Sequence, residues 1–362
     1  MTSDALRLAV YFGERDRLQG HLASDVLLDL YESHGLRTAI LVRATEGFGI
    51  KHQLHTQRML TLSEDLPLVS VAVDTPERIE AVLPALRSVV PGGLVTLERA
   101  RLVTGSAADV PVAERLHDEA KLTLYLGRQD RIEAQSASGW VVDVLRRHGV
   151  AGATVVVGVD GMRDGLRQRA RFFSRNADVP VMVISVGTGD AIARALAELR
   201  ERLERTLMTL ERVRVCKRDG RTEAEPDDVP EVDPNGLGIW QKLTVYAGEQ
   251  TRHGKHPLYI ELIHRLRLEG AAGATAVRGV WGYSGDHAPH GDTLAAVRRR
   301  VPVVLTIVDR PAAARRWWQL VDDVTGTAGL VTSEVVPAFH AVGPGIARGG
   351  LHLARPARWP GG

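Results

Sequence analysis

The chain has 362 residues, with 46 Lys plus Arg against 44 Asp plus Glu and a formal net charge of +2. This near-neutral balance excludes a histone-like polycation, and the composition of 44% hydrophobic and 25% charged residues excludes a disordered tail. The single cysteine, Cys216, excludes an internal disulfide framework, and no apolar run approaches the roughly 18 residues of a membrane span. These features predict a protein of the reducing cytoplasm.

One sequence unit occurs three times along the chain. The segments at 6–13, 120–127 and 241–248 read LRLAVYFG, AKLTLYLG and QKLTVYAG, and aligning their tyrosines gives offsets of 114 and 121 residues. The same offsets align further glycines, namely Gly35, Gly149 and Gly270, then Gly47, Gly161 and Gly282. The units also end alike, as VTLE, MTLE and VTSE, so a glutamate recurs there at Glu98, Glu211 and Glu334. Self-similarity of this kind predicts repeated copies of one structural unit.

The elements of the first unit follow one another clearly. An apolar strand at 6–12 leads to a helix with helical spacing of its apolar positions, which Gly35 ends. A second strand covers 36–44, a long loop follows, and a third strand begins at Pro67. The run Asp74-Thr-Pro76 is typical of a helix start, and a fourth strand ends in VTLE.

The second and third units repeat this order, with second strands at 152–159 and 274–280 and third strands from Pro180 and Pro302. The run VISVGTGDAIA at 183–193 is similar to a dinucleotide fingerprint, but its third glycine is absent and the other units start a helix at this point. We therefore expect a helix start there. The order β-α-β-β-α-β predicts an α+β protein made of three tandem ferredoxin-like domains.

Two segments rich in Gly, Pro and charge separate the units and predict linkers. The predicted organisation is domain 1 at 1–103, a linker at 104–119, domain 2 at 120–216, a linker at 217–240, domain 3 at 241–337 and a flexible tail at 338–362.

The long loop between the second and third strands is the candidate functional segment of every unit, because connections beyond roughly 12 to 15 residues are commonly functional or disordered. In the first unit, Gly47 and Gly49 precede His52 and His55, which indicate a polar pocket or, on weaker grounds, a ligand pair. In the second unit, Gly161 precedes an arginine-rich run that includes Arg167, Arg169 and Arg171. Converging guanidinium groups suit a phosphate-bearing ligand, while a solvated basic face explains the same run.

The third loop combines Gly282 and Ser284 with a dense group of imidazoles and carboxylates, namely Asp286, His287, His290 and Asp292. Such a group could hold a divalent metal. Pro289 argues against a helix that presents the histidines in order, and the alternative is a loop tied by side chain to backbone hydrogen bonds.

Signatures of common enzymes are missing: the sequence has no GxxxxGK[ST], no HExxH, no GxSxG and no paired cysteines. Cys216 ends an apolar strand and is interpreted as a small core residue. The recurring glutamates could close a hydrogen bond or line a cleft between the units, and the sequence does not choose.

Several motifs of the sequence resemble the bacterial domain-of-unknown-function-190 family, in its tandem actinobacterial form. They are the YxG openings, the GFG and GYSGDH loop starts, the LPLVSVAVD and VPVVLTIVD strands, the FFSRNADVP and APHGD runs and the VTLE ending. That family is grouped with the PII-like signalling proteins. The resemblance implies ferredoxin-like domains whose relatives form trimers and bind small effectors, commonly adenine nucleotides, in the clefts between subunits. Three copies in one chain then imply a monomeric, intramolecular pseudo-trimer.

The function predicted is therefore a non-catalytic sensor that binds a small anionic effector, possibly a nucleotide, and regulates a protein or membrane transporter through its long loops. One alternative is a divalent-metal-binding protein that uses the loop of His287 and His290, and another is an enzyme acting in the same cleft. Nucleic acid is not an expected partner, because the near-neutral chain gives little electrostatic support for it.

Overall fold

The computed structural model describes residues 2–49, 55–56, 66–90, 92–103, 119–168, 179–284, 290–291, 301–343 and 346–355. Within these residues it has six helices and mainly antiparallel sheets, so the α+β class and the three repeats are confirmed. None of the described helices is long and apolar enough to cross a membrane.

The first repeat has the elements β1 (Thr2–Gly13), α1 (Ala23–Ser33), β2 (Thr38–Arg43), β3 (Pro67–Asp74), α2 (Pro76–Val89) and β4 (Gly93–Val103). The second has β5 (Glu119–Gly127), α3 (Ala137–Arg147), β6 (Gly152–Val157), β7 (Pro180–Thr188), α4 (Gly189–Arg202) and β8 (Leu207–Arg212). The third has β9 (Trp240–Gly248), α5 (Leu258–Leu268), β10 (Ala274–Arg278), β11 (Pro302–Asp309), α6 (Pro311–Thr325) and β12 (Leu330–Val336).

Short strands accompany these elements. Each first strand is followed by a small hairpin: Arg17–Leu18 with His21–Leu22, Arg131–Ile132 with Gln135–Ser136, and Arg252–His253 with His256–Pro257. Further strands are Glu46–Phe48, His55–Thr56, Asp160–Arg163, Leu166–Arg167, Arg214–Arg218, Arg221–Thr222, Trp281–Ser284, His290–Gly291, Ala338–Gly343 and Ile346–Gly350.

The four main strands of the first repeat lie in the order β2-β3-β1-β4, and the other two repeats have the same order. Side chains of a strand point alternately to its two faces. Leu8 and Val10 of β1 therefore pack under the helices of their own repeat, whereas Ala9 belongs to a cluster that also contains Tyr125 and Met182 of the second repeat. Each sheet thus has one face for its own core and one for the other repeats.

The helix starts follow the local sequence. Pro76 and Pro311 are the first residues of α2 and α6, where a missing backbone N–H costs no helical hydrogen bond. The helix α4 begins at Gly189, as predicted, and the hydroxyl of its N-cap Thr188 accepts a hydrogen bond from the backbone of Ala191.

The repeats exchange short strands in a closed cycle. The strand Asp160–Arg163 of the second repeat pairs with β2 of the first, and Trp281–Ser284 of the third repeat pairs with β6 of the second. The cycle closes because Glu46–Phe48 of the first repeat pairs with β10 of the third. All three pairings have the same register, which places Gly47, Gly161 and Gly282 opposite Thr275, Ile40 and Thr154.

A second cycle joins the opposite edges of the sheets. The end of β4 pairs with β8, Arg214–Arg218 pairs with β12, and Ala338–Gly343 pairs with the start of β4. The segment from 338 therefore differs from the predicted flexible tail. Its alternating apolar residues Phe339 and Ala341 are buried against Trp240, and this burial stabilises the segment as a strand of the sheet.

Candidate functional site

The three glycines that begin the long loops lie at the contacts between repeats. A Cβ atom on Gly47 would approach the carbonyl oxygen of Ala274 to 2.8 Å, and one on Gly161 would approach that of Ala39 to 2.3 Å. Gly282 is equally close to Ala153, at 2.2 Å. Sequence reasoning assigned these glycines to ligand binding, but the structure places them where two backbones pass too closely for any side chain.

A cleft opens beside the first of these contacts, between the first and third repeats. It has a volume of about 410 Å³, within the range of about 300 to 1,000 Å³ that small-molecule sites occupy. The walls come from the end of β1, the strand Glu46–Phe48, the start of β10 and the strand Ala338–Gly343. Small residues leave this space open, in particular Gly49, Ala272 and Gly273.

The lining combines apolar surfaces with one ion-bearing corner. Phe48, Leu94 and Phe339 contribute apolar surface, on which a planar ring can lie. Asp16 and Arg17 form the charged corner. The cleft therefore has an apolar surface for the ring and a charged corner for the polar group of a ligand that carries both.

Hydrogen bonds hold the charged corner in place. An Asp16 carboxylate oxygen accepts a hydrogen bond from the Gly13 backbone at 2.8 Å, and Arg17 donates to the Gly20 carbonyl oxygen at 2.9 Å. A guanidinium has five N–H donors, so Arg17 can still donate to an anion. The other repeats place Arg131 and Arg252 in the same hairpin position, each donating to the carbonyl three residues ahead.

The equivalent place in the second repeat is filled by a side chain of the protein itself. Arg163 stands at the position of Gly49, and its guanidinium donates to Asp130 at 2.7 Å. A Cβ atom on Gly127 would lie 2.3 Å from that guanidinium, so Arg163 packs against the backbone at this point. Asp130 and Gly127 correspond to Asp16 and Gly13 of the open cleft. The position of Gly49 in the open cleft is thus occupied in the second repeat by Arg163, whose side chain fills this corner.

Arg167, a predicted ligand-binding residue, is engaged in contacts between repeats. Its guanidinium lies 2.6 Å from Asp25 and 2.9 Å from Asp160, and it also contacts Asp29. Asp25 and Asp29 belong to α1 of the first repeat. Burial works against the charge of Arg167, but these carboxylates outweigh it and raise its pKa. Arg167 therefore connects the long loop of the second repeat to α1 of the first repeat through ion pairs.

The remaining predicted site residues fall into two groups. His52, Arg169, Arg171, Asp286, His287 and Asp292 lie outside the described residues. For three more, the structure gives the backbone pairing alone, which joins His55 to Gly47, His290 to Gly282, and Ser284 to Gly152. The metal site predicted for the third loop stays a prediction.

The centre of the molecule holds three cations and three carboxylates, one of each per repeat. They form the central ion cluster, which consists of Arg7, Lys121, Lys242, Glu98, Glu211 and Glu334. Arg7 lies 2.9 Å from Glu98, and Lys242 contacts both Glu98 and Glu334, the latter at 3.0 Å. Lys121 in turn contacts Glu334 and lies 2.9 Å from Glu211. These contacts run through all three repeats.

The charges of the cluster stabilise one another. Burial disfavours the ionised form of Glu98, but Lys242 and Arg7 outweigh it and hold its pKa well below the ordinary value. Burial likewise opposes the charge of Lys121, yet the surrounding carboxylates raise its pKa well above the usual range. Burial, partly opposed by the neighbouring cations, raises the pKa of both Tyr11 and Tyr125 to about 12. At neutral pH Arg7, Lys121, Glu98 and Glu334 are therefore charged, and the two phenols are neutral.

The three carboxylates alone have the spacing of a metal site, since one oxygen of each lies within 4.8 Å of the others. The ammonium groups of Lys121 and Lys242 contact the same carboxylates. These cations balance the charge of the carboxylates, so charge neutrality of the central ion cluster does not require a metal.

Two features of the site were missed by sequence reasoning. The recurring glutamates were noticed, but their partners were not, although the offsets of the repeats align Arg7 with Lys121 and Lys242. The second is the difference between Gly49 and Arg163, which the same alignment contains. Both signals were present in the sequence, and only the folded chain shows that they lie at contacts between repeats.

The fold and the repeated contacts define a protein built from three copies of one domain. The family model DUF190, described as an uncharacterized ACR family, matches residues 5–102, 119–215 and 240–338. The chain belongs to this family, and the predicted membership in three tandem copies is confirmed.

Individual relatives are more distant. A UPF0166 protein of Aquifex aeolicus (strain VF5) is 26% identical over 96 residues, which are 26% of this chain and 90% of that protein. Among solved structures, an aspartate kinase from Synechocystis aligns with 95% of this chain at 11% identity and a TM-score of 0.26. The chain spans 46% of the length of that kinase, and a similarity this low supports no conclusion about fold or function.

Proposed function

We propose that the protein is a non-catalytic PII-like sensor that binds one small anionic effector in the cleft between its first and third repeats. The observation that carries the proposal is the open cleft of about 410 Å³, bounded by Gly49 and Gly273 and lined by apolar side chains next to Arg17. An adenine nucleotide, which the family resemblance suggests, has the ring and the anionic group that these walls would receive.

The proposal includes an arrangement of the three repeats as ferredoxin-like domains in an intramolecular pseudo-trimer. The sheet order β2-β3-β1-β4 and the two closed cycles of strand pairing support it. So does the central ion cluster, to which each repeat contributes one cation and one carboxylate. In such an arrangement the cleft is a boundary between neighbouring domains, and its shape depends on how they meet.

Regulation of a partner would follow from the position of the cleft beside the first residues of a long loop. Phe48 and Gly49 line the cleft and belong to the beginning of the long loop of the first repeat. An effector in contact with them favours one loop conformation over others, provided that it binds the two conformations with different affinity. A partner that reads this loop would then respond to the effector.

Isothermal titration of the purified chain against a panel of nucleotides tests the binding step. We expect one panel member to bind in the cleft between the first and third repeats and none at the equivalent corner of the second repeat, which Arg163 fills. An absence of heat and of thermal stabilisation with every member would contradict the proposal.

A pair of variants at Gly49 locates the site. Gly49→Arg would place a guanidinium where Arg163 stands in the second repeat, so we expect it to remove binding. Gly49→Ala is the matched control, because a Cβ atom there meets nothing within 4 Å and binding should persist. Binding that survives Gly49→Arg unchanged would move the effector away from this cleft.

A further inference from the structure

A second cavity lies at the centre of the molecule, against the central ion cluster. It has a volume of about 70 Å³ and is lined by residues of all three repeats. About half of its described lining residues are apolar side chains such as Val71, Val156 and Val304. Its charged lining residues are Arg7, Lys121 and Lys242, while the carboxylates of the cluster are not among the described lining residues. The cavity therefore faces the cationic side of the cluster.

Hydrogen-bond donors remain available on this side. The ammonium of Lys121 contacts two carboxylates, as does that of Lys242, and an ammonium has three N–H donors. Arg7 contacts Glu98 through one of its five N–H groups. Hydroxyl groups add further donors, from Thr123 and Thr244 at equivalent positions of the second and third repeats.

We propose that this cavity binds one chloride-sized monovalent anion, held by the cations of the central ion cluster and by the threonine hydroxyls. The volume suffices for such an ion with a few waters, since one water needs about 10 to 15 Å³ measured in this way. A metal cation is disfavoured because the charged groups that line the cavity are cations.

The neutral charge of the cluster favours an anion with a single negative charge over a divalent one. Three cations and three carboxylates sum to zero, so a buried divalent anion would leave two charges uncompensated, whose desolvation is far more costly than that of one. This site adjoins the effector cleft between the first and third repeats, since Tyr11, Thr275 and Thr306 line both. Among the described residues, the cations Arg7, Lys121 and Lys242 line the central cavity and not the cleft.

Crystals of the full chain grown in sodium bromide provide a direct test, because bromide replaces chloride and scatters anomalously. We expect one anomalous peak inside the central cavity, beside the side-chain nitrogens of Lys121 and Lys242. In solution, chloride should raise the unfolding temperature more than gluconate does at equal ionic strength. A cavity that holds only water in saturating bromide, with equal unfolding temperatures in the two salts, would overturn the proposal.

Threonine variants test the same site while leaving the ion pairs intact. Thr244→Val keeps the shape of the side chain and removes a hydroxyl that lines the cavity, so we expect chloride affinity to fall by about fivefold to tenfold. Thr332→Val is the matched control, since Thr332 is buried with an unpartnered hydroxyl but does not line the cavity. Thr123→Val replaces the first variant if that one fails to fold. Equal chloride affinity in all the variants would contradict the proposal.

Discussion

The centre of the molecule and its clefts differ in how far the three repeats carry matching residues at equivalent positions. At the centre, each repeat contributes a cation and a glutamate at equivalent positions. At the clefts, equivalent positions carry Gly49 in one repeat and Arg163 in another. Contacts that hold all three repeats together constrain each repeat alike, whereas each cleft can change without affecting the others. A tandem chain can therefore retain one open cleft and fill another.

The largest expected effect comes from the centre. Lys242→Met leaves Glu98 and Glu334 without one of their cations, and breaking a buried pair in this way costs about 3 to 5 kcal/mol. We expect the free energy of unfolding, measured in denaturant, to fall by this amount. The double variant Lys242→Met with Glu98→Gln restores neutrality and should recover part of the loss. A loss below about 1 kcal/mol in the single variant would place the cluster among weak surface pairs.

The next largest effect on stability is expected from a substitution in the strand Ala338–Gly343, which forms one wall of the cleft. The Phe339 ring stacks on Trp240 with centroids 3.8 Å apart, and both are buried. Phe339→Ala should lower the free energy of unfolding by about 3 to 5 kcal/mol, as large-to-small changes in a core do. Chemical denaturation measures this loss. A negligible change would restore the sequence-based view that this segment is a flexible tail.

Acid should weaken the ion pairs at the centre of the molecule. The pKa values of Glu98 and Glu334 lie below their ordinary value of 4.5, because nearby cations outweigh the cost of burial. Their contribution to stability is therefore present above pH 4.5 and is lost as the pH falls below it. The free energy of unfolding should decrease by about 1.4 kcal/mol per pH unit for each proton taken up on unfolding.

Denaturation at several pH values between neutrality and pH 3 measures this slope. The double variant of Lys242 and Glu98 removes one of the two carboxylates, so its slope should be shallower. An equal slope in both proteins would assign the acid sensitivity to groups outside the cluster.

The smallest effect on stability is expected from substitutions of Arg163, which fills the corner in the second repeat. The same substitutions should change the number of binding sites. Arg163→Gly removes an ion pair with a partly exposed Asp130, which costs less than about 1 kcal/mol. It also reproduces the glycine of the open cleft, so titration with the effector should give one more site per chain than the unmodified protein. Arg163→Lys keeps a cation beside Asp130 and should leave the number of sites unchanged. An unchanged number of sites in both variants would show that more than Arg163 closes this corner.

The fold was largely predictable from the sequence, because its evidence is repeated three times. Prolines at strand starts, glycines after helices and alternating apolar residues each recur in register, so the α+β class and the three copies could be stated. The C-terminal strand was missed because glycine and proline surround it, and its pairing with β4 depends on residues far away in the sequence.

The site was less predictable than the fold. Gly47 and its counterparts were assigned to ligand binding because glycines often mark such loops, but close backbone contact requires glycine as strongly. Arg167 was read as a ligand-binding cation, since a sequence does not show that Asp25 and Asp29 of another repeat already neutralise it. A cleft between repeats is a property of three-dimensional distance, and sequence spacing carries little information about it.

The second cycle of strand pairing has a consequence for how the chain is made. The first repeat receives the strand Ala338–Gly343 at the edge of its sheet, and this strand is synthesised after all three repeats. The earliest domain to leave the ribosome is thus the last to acquire its full sheet, and pairing between such distant segments is slow. Until then its open edge is exposed, a known route to aggregation. The sheet of the first repeat is therefore complete only after the strand Ala338–Gly343 has been synthesised.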